Sequence, residues 1–161
     1  MLVTVYIGIG SNLSDPINQA KSAIKAISSI ADTQLIKVSS FYSSKPQGSQ
    51  DQPDYVNAVA KIETTLEAEA LLRETQSIEN KHGRVRGKER WTARTLDLDL
   101  LLYGNEIIDT EVLKVPHIWL TRRSFVVYPL AEITNDLQLP TGENIDLLSK
   151  KRLEPEIYKL D

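Results

Sequence analysis

The order of hydrophobic patterns in the first hundred residues restricts the fold of this chain more than any other sequence feature. Segments in which every second residue is apolar are typical of half-buried strands, whereas apolar residues that recur every three or four positions are typical of amphipathic helices. The two patterns follow each other in the order strand, helix, strand, strand, helix, strand. The predicted strands are Leu2–Ile9, Gln34–Ser43, Tyr55–Thr64 and Thr95–Tyr103.

Local signals place the ends of the two helices. Asp15 is predicted to be the N-cap of the first helix, because Pro16 suits the first helical position. Thr64 and Glu67 have the spacing of a capping box for the second helix. Gly83 suits the position just after the second helix, where a left-handed backbone is common.

This order of elements predicts an α+β protein with a ferredoxin-like βαββαβ core and a mainly antiparallel sheet. In that topology the first strand ends at the sheet edge where the third and fourth strands begin. Three loops should therefore converge there, formed by residues 10–13, 44–54 and 84–94. Long loops gathered at one edge of a sheet favour a functional site. Beyond residue 104 we expect additional C-terminal elements, among them a helix over Phe125–Ile133 that Pro129 interrupts.

Length and composition exclude several classes of protein. The chain has 161 residues, so one domain over residues 1–161 is expected. It has no cysteine, which excludes disulfides and thiolate metal sites. It has neither an apolar stretch of the ~20 residues that cross a bilayer nor a basic leader, so we expect a cytoplasmic protein without membrane contact. A net charge of −3 argues against general nucleic-acid binding.

The segment from residue 94 to residue 102 carries the most chemical information. With the period of a strand, Leu96, Leu98, Leu100 and Leu102 share one face, and Asp97 and Asp99 share the other. Carboxylates with no His or Cys beside them favour magnesium over zinc. Two such carboxylates can hold two metal ions that bridge the phosphates of a nucleotide. The alternative is an amphipathic strand whose polar face simply meets water.

Basic residues are concentrated directly before this strand. Lys and Arg occupy six positions between residues 81 and 94, and Glu89 alone opposes them. This pattern favours a site for polyphosphate, in which arginines stabilise the charge that develops on transferring phosphoryl oxygens. A solvated basic loop is the alternative.

Strand residues Tyr55 and Asn57 lie on the face opposite the apolar Val56 and Ala58. An aromatic ring beside an amide suits a flat heterocycle with hydrogen-bonding edges. An ordinary surface pair is equally compatible with the pattern.

Several separate segments, in this order, resemble the 6-hydroxymethyl-7,8-dihydropterin pyrophosphokinase family over roughly residues 3–139. The segments are Gly10–Leu13, Val38–Tyr42, Gln50–Asn57, Gly83–Arg86, Glu89–Trp91, Arg94–Asp99, Val115–His117 and Arg123–Phe125. The resemblance implies transfer of pyrophosphate from ATP to the pterin hydroxymethyl group, with AMP as the other product, in folate biosynthesis. It also implies a three-layer α/β/α sandwich and a monomer whose partners are ATP and the pterin.

The resemblance assigns a role to each matching residue. Asp97 and Asp99 match the ligands of two Mg²⁺ ions, and Arg84 and Arg94 match the catalytic arginines. The residues that match ATP-binding positions are Gln76, Glu79, Arg86, Trp91, Leu100, His117 and Arg123. The residues that match pterin-binding positions are Gly10, Ser44, Tyr55, Asn57 and Phe125. The chain departs from the family pattern at Ser44-Lys45, Thr92-Ala93, Val112, Lys114 and Ile118.

Three other functions compete with this interpretation: an RNA-binding module, another nucleotidyl enzyme and a regulatory ligand-binding domain. The chain has no G-x-x-x-x-G-K-[ST] motif and no protein-kinase signature set, so those two nucleotide-binding classes are excluded. An RNA-binding module would need exposed aromatics on its central strands, where this chain has Ala58-Val59-Ala60. Another nucleotidyl enzyme with two aspartates is disfavoured only by the order of the flanking motifs. A regulatory ligand-binding domain would leave the acids and arginines unexplained.

Overall fold

The computed structural model describes residues 1–46, 52–83 and 95–160. The strands are β1 (Val3–Ser11), β2 (Thr33–Val38), β3 (Tyr42–Ser44), β4 (Tyr55–Thr64), β5 (Asp97–Tyr103), β6 (Ile108–Asp109), β7 (Lys114–Val115) and β8 (Ile157–Lys159). The helices are α1 (Pro16–Ser28), α2 (Ala68–Lys81), α3 (Ser124–Ile133) and α4 (Ile145–Ser149).

The main sheet is antiparallel, as expected. Its strands follow the order β5-β1-β4-β3-β8, and β2 pairs with β4 further along, beside the half of β4 that β3 does not cover. Every pairing in this sheet is antiparallel. Strands β6 and β7 form a small separate hairpin.

Helices pack on both faces of the main sheet, because the strands alternate their side chains between two apolar cores. On β1, Val5, Ile7 and Ile9 face the core that contains Ala23 of α1 and Leu71 of α2. Tyr6 of β1 faces the other core, to which α3 and α4 contribute. The members of that second core on α3 and α4 are Val126, Leu130, Ile133 and Ile145.

Several local predictions are confirmed. Strand β4 has the predicted bounds, and α1 begins at Pro16 with Asp15 at the N-cap position, but the Asp15 side chain makes no capping hydrogen bond. Gly83 follows α2 with a φ of +84°, a left-handed conformation that glycine adopts without steric cost. The predicted capping box is wrong: α2 begins only after Glu67, and the Thr64 hydroxyl accepts the N–H of Leu66 instead.

Helix α3 continues through Pro129, so the predicted interruption is wrong. Pro129 is buried, and it removes one backbone donor without ending the helix. The helix remains packed against the sheet at this point, because Val127 and Leu130, on either side of Pro129, are fully buried.

The predicted strand Gln34–Ser43 is divided into β2 and β3 by Ser39. The Ser39 side chain accepts the N–H of Val59 at 2.9 Å, and the Ser39 N–H donates to the Val59 carbonyl at 2.9 Å. A side-chain oxygen thus replaces a backbone partner at this point, and the chain leaves the regular ladder before β3 resumes it.

A register shift in β5 corrects one predicted face. Tyr6 of β1 pairs with Leu102, whereas Ile7 pairs with Leu100, so β5 carries one extra residue at Leu101. Leu96, Leu98 and Leu100 share the first core as predicted, but Leu102 lies in the second core, with Leu101. Asp97 and Asp99 precede the shift and keep the alternation.

Within residues 1–46, 52–83 and 95–160, no helix is long and apolar enough to cross a bilayer. The cytoplasmic location stays a prediction.

The central position of β1 leads to a stability prediction. Ile7 is fully buried in the first core, so Ile7→Ala is expected to lower the free energy of unfolding by about 2–5 kcal/mol through lost contacts and a residual cavity. Ile36→Ala is the matched control, because Ile36 on β2 is 40% exposed and should cost about 0.5 kcal/mol. Urea titration monitored by circular dichroism measures both, and equal losses would contradict the assigned core.

Candidate active site

The predicted convergence of three strand ends is confirmed by the register of the sheet. Gly10, near the end of β1, pairs with Asn57 of β4 on one side and with Asp97 of β5 on the other. Gly8 pairs in the same way with Val59 and Asp99. Residues directly opposite each other in antiparallel strands share a face. The end of β1 and the starts of β4 and β5 therefore place an amide and two carboxylates on the face that α3 and α4 cover further along.

The two aspartates lie directly across the β1–β5 ladder from two glycines. Asp97 and Asp99 are half-buried, and the Asp99 side chain is 47% exposed. Their neighbours across the ladder, Gly10 and Gly8, have no side chain that could cover them. Among the described residues, Leu101 packs beside Gly8, so the space above β1 that no side chain of that strand fills lies at Gly10, next to Asp97.

Ser11 and Asn12 tie the surrounding loops to the end of β1. The Ser11 hydroxyl donates a hydrogen bond to the carbonyl of Thr95, just before β5. The Asn12 amide, 1% exposed, donates to the Pro53 carbonyl at 3.0 Å and to the Gln52 side chain at 3.2 Å. These bonds hold the starts of β4 and β5 against the same short segment.

Two polar side chains and one aromatic ring lie around Gly10. The buried Asn57 donates from Nδ2 to the Ser44 hydroxyl at 2.6 Å, which leaves its Oδ1 directed toward Gly10. A Cβ built on Gly10 would lie 3.4 Å from Asn57 Oδ1 and 3.8 Å from the Tyr55 ring. The structure thus brings together Gly10, Ser44, Tyr55 and Asn57, four of the five residues predicted to bind pterin.

His117 lies beside the acids as a neutral ring. The Trp119 N–H donates to His117 Nδ1 at 3.2 Å, so the neutral ring carries its proton on Nε2. That nitrogen lies 4.0 Å from Oδ2 of Asp99. The pKa of His117 is lowered to about 4, mainly by burial and also by the charge of Arg123, while the charge of Asp97 opposes the shift. At neutral pH the contact between His117 and Asp99 is therefore polar rather than an ion pair.

Arg123 is held between aromatic rings at the start of α3. Its guanidinium carbon lies 5.4 Å from the ring centroid of Trp119 and 5.4 Å from that of Phe125. Contacts of this kind orient a guanidinium group and favour its positive charge. Phe125, the fifth residue predicted to bind pterin, is half-buried against the second core.

Helix α2 approaches the site from the outer edge of β5. Glu79 is 3% exposed, and its Oε2 accepts the N–H of Leu98, the residue between the two aspartates, at 2.7 Å. Gln76 lies one turn earlier and is half-buried. Leu100 is buried in the first core, so its side chain lies on the face opposite Asp97 and Asp99.

Four of the predicted site residues, Arg84, Arg86, Trp91 and Arg94, lie outside the described residues. Their predicted roles stay predictions.

Comparison with known proteins connects this site to one family. Residues 6–135 match the model of the family described as 7,8-dihydro-6-hydroxymethylpterin-pyrophosphokinase (HPPK). The chain belongs to the HPPK family. It is 54% identical, over 99% of both chains, to the 2-amino-4-hydroxy-6-hydroxymethyldihydropteridine pyrophosphokinase of Haemophilus influenzae. It is 46% identical to the Pseudomonas aeruginosa protein of the same name, over 90% of this chain and 89% of that protein.

A solved structure has a similar fold. The crystal structure of wild-type Plasmodium falciparum HPPK-DHPS with pteroate superposes with a TM-score of 0.73 at 11% identity, over 92% of this chain. This chain spans 42% of that solved chain, so the likeness concerns the fold of the matching part alone.

The sequence interpretation missed several residues that hold this candidate site together. Ser11 and Asn12 were included only in the loop 10–13 and in the segment Gly10–Leu13, without a role of their own, and Trp119 was not singled out at all. The signal for Asn12 was its polar character directly after an apolar strand, but its partners Gln52 and Pro53 lie about forty positions away. Such contacts become visible only when the strands are paired.

Glycine at position 10 leads to a prediction about the pterin pocket. Gly10→Ala adds a methyl group at ordinary contact distance from Asn57 and Tyr55, so the fold should tolerate it while the open surface is partly filled. We expect KM for 6-hydroxymethyl-7,8-dihydropterin to rise at least about tenfold, the factor for ~1.4 kcal/mol of lost contact. Gly8→Ala is the control. Its added Cβ would lie 3.4 Å from the Leu101 side chain rather than beside Asn57 and Tyr55, so the KM for the pterin should not change. An unchanged KM for Gly10→Ala would contradict this placement of the pterin.

Proposed function

We propose that this chain transfers the β and γ phosphates of ATP together to 6-hydroxymethyl-7,8-dihydropterin, as a pyrophosphokinase of folate biosynthesis. The hydroxymethyl oxygen attacks the β-phosphorus, the bond from that phosphorus to the α–β bridging oxygen breaks, and AMP leaves. The hydroxyl proton is released to solvent water. The products are AMP and the pterin diphosphate.

One observation carries this proposal: Asp97, Gly10 and Asn57 occupy a single row across β5, β1 and β4. A heterocycle held at the amide end of the row and a polyphosphate held at the acid end would meet above the glycine. The two substrates of a transfer reaction need this adjacency, because positioning supplies much of the rate enhancement.

On the pterin side, the polar groups suit a flat ring with donor and acceptor edges. Asn57 is oriented by its bond to Ser44, and its Oδ1 is available as an acceptor for ring N–H groups. Phe125, which packs at the start of α3, supplies an aromatic face for stacking.

On the nucleotide side, the donor set fits magnesium. Asp97 and Asp99 offer hard oxygen ligands on one open face, and Mg²⁺ commonly binds one or two carboxylates together with substrate phosphates. We propose that these aspartates hold two Mg²⁺ ions. When bound, the ions would neutralise the phosphate charge and help to align the reacting oxygens.

The chain's own cations and polar groups complete the proposed site. Arg123, oriented by Trp119 and Phe125, would contact phosphate oxygens, as would the neutral His117 through its Nε2–H. Arg84 and Arg94 would stabilise the charge that develops during transfer. Gln76 and Glu79 would contact the nucleoside part, with Glu79 also fixing the head of β5 through Leu98.

The same proposal includes the finer description of the fold. The antiparallel order β5-β1-β4 with β2, and the crossovers through α1 and α2, support a ferredoxin-like βαββαβ core in a three-layer sandwich. We further propose that residues 1–161 act as a single domain and as a monomer, without nucleic-acid or membrane partners.

The reaction products distinguish this function from its nearest rival. The protein incubated with Mg-ATP and 6-hydroxymethyl-7,8-dihydropterin should release AMP in step with pterin diphosphate. A two-aspartate nucleotidyl enzyme would instead release inorganic pyrophosphate and leave the pterin unchanged. ADP as the nucleotide product would likewise refute the proposed transfer.

The paired acids lead to a matched mutational prediction. Asp97→Asn and Asp99→Asn should each lower kcat for AMP release by at least about a hundredfold, because each variant loses a charged oxygen ligand for magnesium. Asp109→Asn is the control, since Asp109 lies on β6 and pairs with exposed Lys114. All three variants should keep the circular dichroism spectrum of the wild type. Near-normal turnover in either strand variant would remove that aspartate from the mechanism.

A further inference from the structure

The carboxylate of Glu132 joins α3 to the edge of the sheet beside the pterin pocket. It accepts the Ser40 N–H at 3.1 and 3.2 Å and the Ser40 hydroxyl at 2.7 Å. It also accepts the Tyr42 hydroxyl at 2.5 Å. Lys159 of β8 lies 6.0 Å from the centroid of the Tyr42 ring. None of these four residues belongs to the site proposed above.

The protonation states make this contact a strong one. Burial by itself would raise the pKa of Glu132, but hydrogen bonds from Tyr42 and Ser40 and the charge of Lys159 bring it below its usual value. Burial raises the pKa of Tyr42, and the hydrogen bond and charge of Glu132 raise it further. An ionised acceptor and a neutral phenol donor form a charge-assisted hydrogen bond, which is stronger than a bond between neutral groups.

On the sheet, this contact adjoins the pocket directly. Tyr42 pairs with Asn57 in the β3–β4 ladder and with Lys159 in the β3–β8 ladder. Ser44 follows Tyr42 by two residues on the same face and accepts the Asn57 amide. A displacement of β3 at Tyr42 would therefore change the orientation of Asn57.

On the helix, Glu132 lies seven residues after Phe125, which is about two turns along the same side of α3. The bonds from Glu132 to Tyr42 and Ser40 thus fix the distance between the helix that carries Phe125 and the strands that carry Asn57 and Ser44. A planar ring stacked in such a gap is sensitive to its width, because dispersion contacts weaken steeply with separation.

We propose that Glu132 is a positioning residue for the pterin substrate, acting through Tyr42 and Ser40 to set the gap between Phe125 and Asn57. This inference rests on the proposed pyrophosphokinase function and assigns part of its substrate specificity to a side chain outside the pocket.

Two variants test the proposal, each of which removes a tyrosine hydroxyl that joins α3 to another segment of the chain. Tyr42→Phe removes the hydroxyl that binds Glu132, and KM for 6-hydroxymethyl-7,8-dihydropterin should rise about fivefold, the effect of one lost hydrogen bond. KM for ATP should not change. Tyr128→Phe is the control, because the Tyr128 hydroxyl joins α3 to Lys151 at 2.7 Å and Leu153 at 2.9 Å, on a different segment. It should lower the melting temperature without changing the pterin KM.

Two glutamate variants supply an independent comparison if Tyr42→Phe does not fold. Glu132→Gln keeps a side-chain acceptor for the Tyr42 hydroxyl and should retain most of the pterin affinity. Glu132→Ala has no acceptor and should show the larger loss. Isothermal titration with the pterin, in the presence of a nonhydrolysable ATP analogue, measures binding directly.

Several outcomes would overturn the positioning role. An unchanged pterin KM in Tyr42→Phe, or the same increase in Tyr128→Phe, would show that the contact serves stability alone. Equal affinities for Glu132→Gln and Glu132→Ala would do the same. A wild-type protein that releases no AMP would refute the proposed function itself, whereas an active wild type with unshifted variants refutes only this inference.

Discussion

Strand β1 pairs with β4 on one side and β5 on the other, and this register places Gly10 between Asn57 and Asp97. The whole candidate site depends on that pairing, because the amide and the acids come from segments about forty residues apart in the chain. A slip of one residue would turn Asn57 or Asp97 toward the opposite core. The buried Ile62 of β4 and the buried Leu98 and Leu100 of β5 oppose such a slip, since it would turn them out of the first core.

The two faces of the sheet have different functions at this end. One face is apolar along its full length and packs against α1 and α2. The other is apolar only where α3 and α4 cover it, and it becomes polar toward Gly10. Gly10 leaves space above β1 beside Asn57 and Tyr55, whereas the Leu101 side chain packs beside Gly8. The same strands thus serve packing and binding. Side chains at alternate positions point into the first core, and the residues between them form the candidate site on the other face.

Local pattern was sufficient where one strand or helix face decides the outcome. The bounds of β4, the placement of Asp97 and Asp99 on one face, and the left-handed Gly83 all follow from the spacing of residues near each other in the chain. Pattern failed where a partner distant in sequence intervenes. Ser39 interrupts a predicted strand because its hydroxyl replaces a backbone acceptor for Val59. The extra residue at Leu101 moves Leu102 to the second core, which strict alternation could not indicate.

The sequence by itself determined the main order of strands and helices in the first hundred residues, the placement of two carboxylates on one strand face and, through several motifs in order, membership of the HPPK family. These properties are local or additive along the chain. Only the tertiary structure decided which side chains hold the site in place: Asn12 against Pro53, Glu79 against Leu98, and Glu132 against Tyr42. Each of these bonds joins segments far apart in sequence, and its partner is chosen by how the elements pack, for which the linear order of residues carries no direct signal.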